Sequence, residues 1–411
     1  MTDRLVVVGA SHAGCRLAFA ARELGFAGEI VLIGAEPTPP YQRPPLSKGY
    51  LKGATPLAAI LLKSEAAFHE AGIALRLGTP VTAIDRTART VALASGGAIA
   101  WSRLALTTGA RVRRLAVPGA DLAGVFHMRD LADADALGAA LPGAARAVVV
   151  GGGFIGLEAA AVLRGLGLAV TVLEAADRLA PRAFPPLLSA WLKTLHESRG
   201  VDVRLGAQLR EIVGRDGRVA AAGLADGHEI ACDLVVVGIG VVPADDLARD
   251  AGLAVDRGIL VDAHGLTSDP AIAAAGDCAR HPNPWAATPG APTLLESVQN
   301  AHDQARVAAA ALVGRPIVHD AVPWFWSDQY DTRIQMAGLS HPDDEIVLRG
   351  DPAAGRFSLL HLRDGRLAAV DSVGWPQDHM AARRLLIDRP AIDPERAGRH
   401  DGGLADLCRI G

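Results

Sequence analysis

The amino-acid sequence predicts an α/β fold that contains two copies of one strand–turn–helix–strand unit, followed by a smaller α+β domain. Residues 4–14 read RLVVVGASHAG and residues 146–156 read RAVVVGGGFIG, and each β-branched run leads through a glycine-rich turn into an alanine-rich helical stretch. A second strand follows each helix and ends on an acidic residue, Glu36 in the first copy and Glu174 in the second. Because turns and acidic residues recur at nearly the same offset, we interpret them as an internal repeat.

Composition limits the kinds of protein that this chain can be. Its 411 residues are half hydrophobic, which predicts two or three well-packed domains. The formal net charge of -4 is close to balanced, so we expect neither a nucleic-acid partner nor a membrane-surface partner. No apolar run is long enough for a membrane helix, and no signal peptide precedes the first strand, so we expect a cytoplasmic protein. The cysteines are scattered without metal-binding spacing, and we expect no metal site; they are Cys15, Cys232, Cys278 and Cys408.

Each repeat unit predicts a Rossmann-like dinucleotide-binding domain. The first glycine of such a turn permits the tight bend, the second admits the pyrophosphate, and the third lets the helix pack closely on the sheet. The phosphates then lie at the helix N-terminus, and the acidic residue accepts hydrogen bonds from a ribose. The second copy fits this pattern fully, with Gly151, Gly153 and Gly156. Its Glu174 favours NADH, because a carboxylate binds the ribose 2′-hydroxyl and repels a 2′-phosphate.

The first copy departs from the pattern at one position. Gly9 and Gly14 are present, but Ser11 occupies the middle position. A small hydroxyl can donate a hydrogen bond to a phosphate, although a side chain there affects the closest backbone approach. A tight strand-to-helix turn without a ligand is the alternative for this copy alone.

Five further segments make the pattern more specific. They are PPYQRPPLSKGYL (39–51), LALTTGA (104–110), GDC (276–278), ESVQNA (296–301) and PWFWSDQYD (323–331). Together with the glycine turns, they resemble the FAD-dependent ferredoxin reductases that serve Rieske-type aromatic dioxygenases and class I bacterial cytochromes P450. The resemblance runs along essentially the whole chain, in the order found in that family.

The resemblance implies FAD in the first unit and NADH in the second. The FAD site would comprise Gly9, Ser11, His12, Ala13, Gly14, Glu36, Arg43, Lys48, Val81, Thr108, Gly109, Asp277, Glu296, Ser297, Val298 and Trp326. The NAD site would comprise Gly151, Gly153, Phe154, Ile155, Gly156, Glu158, Glu174, Arg182, Gly238 and Gly240. Within these sets, Glu36 would bind the adenosine ribose, Arg43 and Lys48 would face the flavin and its phosphates, and Asp277 would hold the ribityl chain.

Three features are expected at the reacting centre. The resemblance implies that Lys48 pairs with Glu158 beside flavin N5; alternatively, Glu158 is a first-turn carboxylate favoured by the helix dipole. A helix beginning near Glu296 would direct its N–H groups at the flavin pyrimidine, unless ESVQNA starts an ordinary capped surface helix. Three consecutive aromatic residues place at least one ring off a core face, and the resemblance puts Trp326 beside the flavin where an electron acceptor docks. An interdomain core is the alternative for these aromatic residues.

The order of the segments also predicts the domain organisation. GDC and ESVQNA belong to the FAD unit yet follow the second glycine turn. We therefore expect a discontinuous FAD-binding domain at residues 1–112 and 243–322, with an inserted NAD-binding domain at 113–242. Residues 234–244, LVVVGIGVVPA, would form a buried strand, with a turn at Gly238 and Gly240 that edges the nicotinamide site. Residues 323–411 would form the α+β domain, a small antiparallel sheet with a helix.

The predicted activity is a transfer of hydride from NADH to FAD, followed by transfer of single electrons to a [2Fe–2S] ferredoxin that feeds an oxygenase. The segment LSKGYL lacks the cysteine pair of the related disulfide reductases, so no dithiol relay is expected there. Docking would be transient and electrostatic, with Arg43, Arg315 and Arg333 as candidate contacts, and the protein would be a monomer or weak homodimer. Alternatives are a rubredoxin reductase, an NADH oxidase or nitrite-reductase-type enzyme, a slow-turnover redox-sensing NADH-binding protein, and a flavin-free nucleotide-binding module.

Overall fold

Two parallel sheets and one antiparallel sheet organise the chain. A computed structural model describes residues 3–399 and 403–408. The first sheet contains, in spatial order, β19 (Ile272–Ala274), β7 (Arg103–Leu106), β1 (Arg4–Val8), β2 (Glu29–Ile33) and β3 (Ile73–Arg76). The second contains β12 (Asp202–Leu205), β11 (Ala169–Glu174), β10 (Arg146–Val150), β16 (Leu234–Val237) and β9 (Val125–His127). The third contains β22 (Trp324–Gln329), β23 (Thr332–Gly338), β26 (Arg366–Val373), β25 (Arg356–Arg363) and β24 (Glu345–Asp351).

Smaller sheets and helices complete the fold. The small sheets are β4 (Val81–Asp85), β5 (Thr90–Leu93) and β6 (Ala98–Ala100); β8 (Ala110–Val112) with β17 (Val241–Pro243); β13 (Leu209–Arg215), β14 (Arg218–Leu224) and β15 (Glu229–Ala231); and β18 (Ile259–Leu260), β20 (Ala279–Asn283) and β21 (Ala291–Leu294). The helices are α1 (His12–Glu23), α2 (Leu57–Ile60), α3 (Glu65–Glu70), α4 (Leu131–Ala140), α5 (Phe154–Gly165), α6 (Pro186–Ser198), α7 (Asp246–Asp250), α8 (Val298–Leu312), α9 (Pro376–Asp388) and α10 (Pro394–Arg399). Single 3₁₀ turns span Pro44–Ser47 and Leu404–Cys408.

The two parallel sheets are buried on both faces, as their sequences require. Four residues of β1 and four of β10 are buried in a row, which is typical of parallel strands covered by helices. On the first sheet, α8 returns from late in the chain to pack on α1, and alanines of both helices, among them Ala18, Ala21, Ala305 and Ala308, share one apolar cluster. Small side chains at this contact let the two helices approach closely. The strand β19 also comes from late in the chain, so the first sheet is built from two distant segments.

The predicted fold class, two Rossmann-like α/β units with a C-terminal α+β domain, is confirmed. One element differs from its prediction. Residues 234–244 are not one buried strand: β16 ends at Val237 in the second sheet, and β17 begins at Val241 and pairs with β8. The left-handed φ of Gly240 (+95°) turns the chain between them. A continuous apolar run can therefore contain a change of sheet. The boundaries of the two dinucleotide-binding domains stay predictions.

No helix within residues 3–399 and 403–408 combines the length and the apolar character that crossing a membrane demands.

Candidate active site

The first glycine turn is closed on its protein side and open on its outer side. Gly9 has a φ of +112°, and a Cβ there would overlap the carbonyl oxygen of Thr107. A Cβ on Gly14 would overlap the carbonyl oxygen of Gly9, so the helix can approach the strand only because both positions are glycine. Ser11 is the N-cap of α1 with an extended backbone, and its hydroxyl makes no capping hydrogen bond. That hydroxyl and the first N–H groups of α1 are therefore available to an anion.

The second glycine turn is built more tightly. A Cβ on Gly151 would overlap the carbonyl oxygen of Gly238, and one on Gly156 would overlap the carbonyl oxygen of Gly151. A Cβ on Gly238 would lie 3.0 Å from the Cα of Gly156, so the three glycines pack back to back. Gly153 is the N-cap of α5, and its Cβ would meet only the Gly238 carbonyl oxygen, 4.0 Å away. The space beside Gly153 is where a pyrophosphate fits.

Glu174 lies beside this turn, at the end of β11. Its two carboxylate oxygens accept hydrogen bonds from the backbone N–H groups of Gly152 (2.6 Å) and Ala176 (2.8 Å). The cation closest to it in sequence, Arg178, donates instead to the carbonyl of Pro181 (2.9 Å) and the hydroxyl of Ser189 (3.2 Å). A negative charge without a free neighbouring arginine suits a ribose with an unmodified 2′-hydroxyl.

Glu36 occupies the matching place in the first unit, but it is engaged by protein side chains. Its carboxylate accepts the hydroxyl of Tyr41 and forms an ion pair with Arg43. Arg43 also donates to the carbonyl of Arg129 (2.6 Å). Arg43 therefore lies at the end of the cleft expected for adenosine. The docking role of Arg43 stays a prediction; its guanidinium is half-buried and bound to Glu36.

Lys48 joins the two units to the C-terminal sheet. Its Nζ lies 3.2 Å from Glu158 Oε1 and 3.3 Å from Asp328 Oδ2. The Glu158 carboxylate is only 5% exposed and also accepts the hydroxyls of Ser47 (2.9 Å) and Ser327 (2.7 Å). Paired charges with additional hydrogen-bond donors are the arrangement that makes a buried carboxylate tolerable. The sequence anticipated the contact between Lys48 and Glu158 but not the second carboxylate, Asp328.

A cavity of about 260 Å³ opens above this ion pair. Its lining comes from the first unit and from the C-terminal sheet: His12, Gln42, Pro44, Pro45, Lys48, Gly49, Val298, Trp326 and Asp328. Val298 is the first residue of α8, two positions later than the helix start expected near Glu296. Ser297 caps that helix by accepting the N–H of Asn300 at 3.1 Å. The N-terminus of α8, with its partial positive charge, therefore faces the same cavity as Lys48.

The aromatic triplet divides between the two faces of β22, as strand geometry requires. Trp324 and Trp326 stack on one face, with ring centroids 5.5 Å apart. Phe325 turns to the other face and packs on Phe154 at 4.8 Å. Phe154 also contacts Phe184 at 5.2 Å, so its partly buried ring packs against the protein core. Phe325 thus packs between domains while Trp326 lines the cavity, and the place of Trp326 beside the flavin stays a prediction.

The remaining candidates lie around the cleft between the two units. Thr108 donates to the carbonyl of Ala244 (2.6 Å), and the carbonyl of Gly109 accepts the Ala244 N–H (2.9 Å). An added Cβ on Gly240 would lie 3.6 Å from the guanidinium of Arg182. Loss of solvation in the cleft and the nearby charge of Asp277 raise the pKa of the Glu296 carboxyl.

Three candidates are less central. Ala13 is buried, and its methyl would contact any side chain added at Gly276. Ile155 is 45% exposed in the first turn of α5, an unusual position for a large apolar side chain. Val81 starts β4, close to Thr79, whose N–H donates to the carbonyl of Gly34 (2.9 Å).

Arg129 is a site residue that the sequence did not reveal. It lies between β9 and α4, and its guanidinium reaches Asp277 (3.1 Å) and the carbonyl of Ala110 (3.0 Å). An added Cβ on Gly109 would lie 3.5 Å from it. This arginine stands between the two glycine-turn units, where a pyrophosphate would need a positive charge. No motif surrounds it, and only the packing of the second unit on the first brings it into the cleft.

Burial holds three side chains of the two units in one protonation state. Burial, with the nearby His302, lowers the pKa of His12 to about 3, so its imidazole is neutral at physiological pH. Burial raises the pKa of the Cys15 thiol to about 12 and that of Cys232 to about 11, which makes both unreactive. Cys278 is buried as well, whereas the side chain of Cys408 lies outside the described residues. In the described part of the chain, no three His, Cys, Asp or Glu side chains are grouped as metal ligands.

The residues present fit two dinucleotides. Both turns leave an open side at a helix N-terminus while glycine closes the protein side, and each turn has a carboxylate nearby. A cavity beside the first turn contains a cation, Lys48, whose position is fixed by Glu158 and Asp328. These features define a flavin-linked oxidoreductase that uses a pyridine nucleotide.

Comparison with known proteins agrees with this class. Residues 3–305 match the family model described as pyridine nucleotide-disulphide oxidoreductase, and residues 324–408 match a reductase C-terminal domain. The chain belongs to the pyridine nucleotide-disulphide oxidoreductase family. Members of this family use FAD and NAD(P)H, and this chain is an oxidoreductase.

Individual relatives cover nearly the whole chain. A ferredoxin–NAD(P)(+) reductase of Sphingomonas sp. is 46% identical, with 96% of each chain covered. Putidaredoxin reductase of Pseudomonas putida is 40% identical over 98% of this chain and 96% of that protein. The crystal structure of the ferredoxin reductase for the CYP199A2 system of Rhodopseudomonas palustris superposes with a TM-score of 0.95 at 40% identity, covering 99% of this chain and 100% of that one. A covalent putidaredoxin reductase–putidaredoxin complex gives a TM-score of 0.94 at 38% identity, with 98% of each chain covered.

Proposed function

We propose that this chain is an NADH-dependent ferredoxin reductase that supplies electrons to an oxygenase. The observation that carries the proposal is the ion pair between Lys48 and Glu158, which lies between the two glycine turns and under a cavity that also contains Trp326. The relatives support the acceptor, because proteins 40% and 46% identical to this chain are named as ferredoxin reductases or putidaredoxin reductase. A named dioxygenase-system reductase of Burkholderia cepacia is 43% identical.

NADH rather than NADPH is the proposed donor. The carboxylate of Glu174 lies beside the second glycine turn, and Arg178 is held away by its bonds to backbone and Ser189. A 2′-phosphate would meet negative charge there and find no free arginine in that loop, which is the reverse of an NADP site.

The chain's own side chains prepare the site for hydride transfer. A bound FAD would supply the redox chemistry, namely acceptance of hydride from NADH and release of two electrons one at a time. Lys48 provides a positive charge whose position is fixed by Glu158 on one side and Asp328 on the other. The N-terminus of α8, at Val298, adds a partial positive charge to the same cavity. Both favour the negative charge that builds up when the cofactor is reduced.

The acceptor would dock where β22 and α9 meet. Trp326 stacks on Trp324, and the guanidinium of Arg383 lies over the Trp324 ring at 4.6 Å. Arg383 and Arg384 are exposed on α9, so a basic surface adjoins the ring that reaches the cavity. Of the docking residues expected from the sequence, Arg333 is exposed but paired with Asp328 (2.7 Å). An acidic [2Fe–2S] ferredoxin suits this surface, and rim charges of this kind act mainly on the association rate.

The positions and burial of the cysteines disfavour a thiol-based reaction. Solved structures of a persulfide reductase and of a CoADR-RHD protein share the fold at 25% and 21% identity. In this chain, residues 46–51 contain no cysteine, and the described thiols are buried with two strongly raised pKa values. Electrons therefore leave the cofactor without a dithiol step.

A steady-state assay with several acceptors tests the proposal. The FAD-loaded protein is mixed with NADH and cytochrome c, alone or with a [2Fe–2S] ferredoxin, a [4Fe–4S] ferredoxin or a rubredoxin. We expect cytochrome c reduction to depend on the [2Fe–2S] ferredoxin and to weaken as ionic strength rises. Faster turnover with rubredoxin or with oxygen alone would replace the proposal with that activity. A stable NADH complex without turnover would indicate a redox sensor, and a purified protein that holds no flavin would contradict the proposal altogether.

A further inference from the structure

A chain of hydrogen bonds runs from the Glu158 carboxylate through the C-terminal domain toward the surface. Ser327 donates to Glu158 Oε1 at 2.7 Å, and Gln329 Nε2 donates to the Ser327 hydroxyl at 3.3 Å. His196 Nε2 lies 2.6 Å from Gln329 Oε1, and the hydroxyl of Tyr330 lies 3.0 Å from His196 Nδ1. We refer to these four residues and Glu158 as the Tyr330–Glu158 chain.

All the donors in this chain point toward Glu158. An ionised carboxylate and the Gln329 carbonyl can only accept, so Ser327 donates to Glu158 and His196 carries its proton on Nε2. His196 Nδ1 then accepts the hydroxyl of Tyr330. This assignment requires a neutral imidazole, and burial lowers the pKa of His196 accordingly. Every polar atom in the series is satisfied in this one direction.

The chain is shielded from water and joins separate domains. Ser327, Gln329 and His196 are each 0% exposed. His196 belongs to α6 beside the second sheet, whereas Ser327 and Gln329 belong to β22 of the third sheet. In a buried environment such bonds reinforce one another and fix a single geometry.

Its outer end is held with backbone strain. Tyr330 has a φ of +57°, a left-handed conformation that is uncommon for an aromatic residue. Its ring lies under the guanidinium of Arg199, 5.3 Å from the ring centroid, and Arg199 is itself paired with Asp331 at 2.8 Å. The left-handed backbone of Tyr330 is unfavourable in energy, but it places the hydroxyl where it can hydrogen-bond to His196.

We infer that the Tyr330–Glu158 chain positions the Glu158 carboxylate, and through it the Lys48 ammonium, for the reductive half-reaction. Ser327, Gln329, His196 and Tyr330 are positioning residues, since none of them lines the cavity. Removal of a donor frees the carboxylate to rotate, and Lys48 follows it or moves toward Asp328. The inference rests on the role proposed above for the Lys48–Glu158 pair.

Stopped-flow reduction of the FAD-loaded protein by NADH tests the inference without any ferredoxin. Ser327→Ala removes the donor, while Gln329→Glu keeps the shape but replaces the donating amide with an oxygen that accepts. Both should slow the loss of oxidised-flavin absorbance at saturating NADH about tenfold, as expected when a charged group loses one donor. Tyr330→Phe should slow flavin reduction about threefold, because Tyr330 lies at the end of the chain farthest from Glu158. The NADH concentration giving half the maximal rate should change less than about twofold, since the nucleotide contacts remain.

Two further variants separate positioning from general stability. Ser327→Thr retains the hydroxyl and should recover the rate to within about twofold. Ser358→Ala is the matched control, because Ser358 is also a 0% exposed serine of the third sheet, with bonds to Ser372 and Asp378 at 3.1 Å. It should lower the melting temperature but leave the reduction rate unchanged.

The outcomes distinguish this inference from the proposal on which it rests. If Glu158→Gln slows reduction while Ser327→Ala, Gln329→Glu and Tyr330→Phe do not, the positioning chain is wrong and the ion pair stands. If Glu158→Gln also leaves the rate unchanged, the proposed role of Glu158 is wrong. Should Ser327→Ala fail to retain FAD, Gln329→Glu and Tyr330→Phe decide the matter, and normal rates in both would overturn the inference.

Discussion

The carboxylate of Glu174 accepts the backbone N–H of Gly152 at 2.6 Å, so the acidic end of β11 is tied directly to the second glycine turn. The residue therefore has two tasks. It holds the turn in shape, and under the proposed function it would present negative charge to a bound ribose. A substitution that removes only the negative charge of Glu174 would separate its support of the turn from its effect on the nucleotide.

Glu174→Gln should relax the preference for NADH over NADPH. The amide keeps one oxygen for the N–H of Gly152 but loses the charge that repels a 2′-phosphate. We expect the ratio of kcat/KM for NADH to that for NADPH to fall about tenfold, which corresponds to ~1.4 kcal/mol. Glu174→Ala should relax it too and raise the KM for both nucleotides, because the turn loses its support. An unchanged ratio in both variants would show that this carboxylate does not contact the ribose.

Lys48→Met should slow flavin reduction by NADH roughly 100-fold, because an oriented cation contributes on the order of 2–4 kcal/mol to such a step. The side chain keeps its length while Glu158 and Asp328 lose their common partner. Rapid-mixing measurements of flavin absorbance give the rate, and the FAD content is checked on the same sample. Lys193→Met, which removes an exposed lysine paired with Glu197 on α6, is the control and should react normally. Equal rates in the two variants would remove Lys48 from the reaction.

Trp326→Ala should slow electron transfer to ferredoxin without loss of FAD. The ring lines the cavity and stacks on Trp324, so its removal weakens the contact between cavity and docking surface. We expect kcat with ferredoxin to fall about tenfold, while NADH-dependent reduction of ferricyanide, a small acceptor, stays within about twofold. Trp285→Phe provides a matched control, because Trp285 stacks with Arg389 away from the cavity lining. Normal ferredoxin turnover in Trp326→Ala would show that this ring is not needed for electron transfer to ferredoxin.

Ser11→Gly should retain FAD. The Ser11 hydroxyl makes no capping bond to α1, so its loss leaves the helix intact, and a glycine lets a phosphate approach the turn more closely. The FAD dissociation constant, measured by titrating the apoprotein, should remain within about threefold of the original value. Complete loss of flavin would demonstrate instead that the hydroxyl is required.

The fold should lose stability as the pH falls from about 6.5 toward 4. Burial lowers the pKa of His379 to about 4, whereas the unfolded chain takes up that proton near 6.5. Protons therefore bind the unfolded state first, and stability that is complete above pH 6.5 declines through this window. For His379, which is 2% exposed, the loss at pH 5 is about 2 kcal/mol. Melting temperatures measured at pH 7.5 and 5.0 should differ less in His379→Gln than in the original protein; the exposed His228 gives the control His228→Gln, in which the difference should not change.

The features that could be predicted from the sequence are those set by local spacing. Gly151 and Gly156 are five residues apart because one strand, one turn and one helix must meet there, and that requirement is visible in a short segment. The fold class followed from the repetition of this unit. The contact between Lys48 and Glu158 followed from resemblance, since more than 100 residues separate them and no periodicity links them.

The features that could not be predicted depend on packing between distant segments. Arg129 enters the cleft because the segment between β9 and α4 packs on the first unit, where it meets Asp277, and Asp328 reaches Lys48 from the third sheet. The ion pair between Arg43 and Glu36 could not be predicted either, because a lone arginine in a polar segment does not reveal its partner. The sequence predicts the turn at Gly238 and Gly240 but not that the chain changes sheet there, because continuous apolar character is the same on either side of such a change.

The pairing of β8 with β17 has a consequence for the evolution and engineering of the protein. Val112 and Val241 lie opposite one another, so the polypeptide passes into and out of the second sheet at adjacent positions. A segment whose two ends are neighbours can be exchanged for a homologous one with only two junctions to design. We expect chimaeras joined within this ribbon to preserve the flavin half while acquiring the coenzyme preference of the donor sequence. The β8–β17 pair would thus allow the coenzyme preference to change without rebuilding the part of the molecule that delivers electrons to its partner.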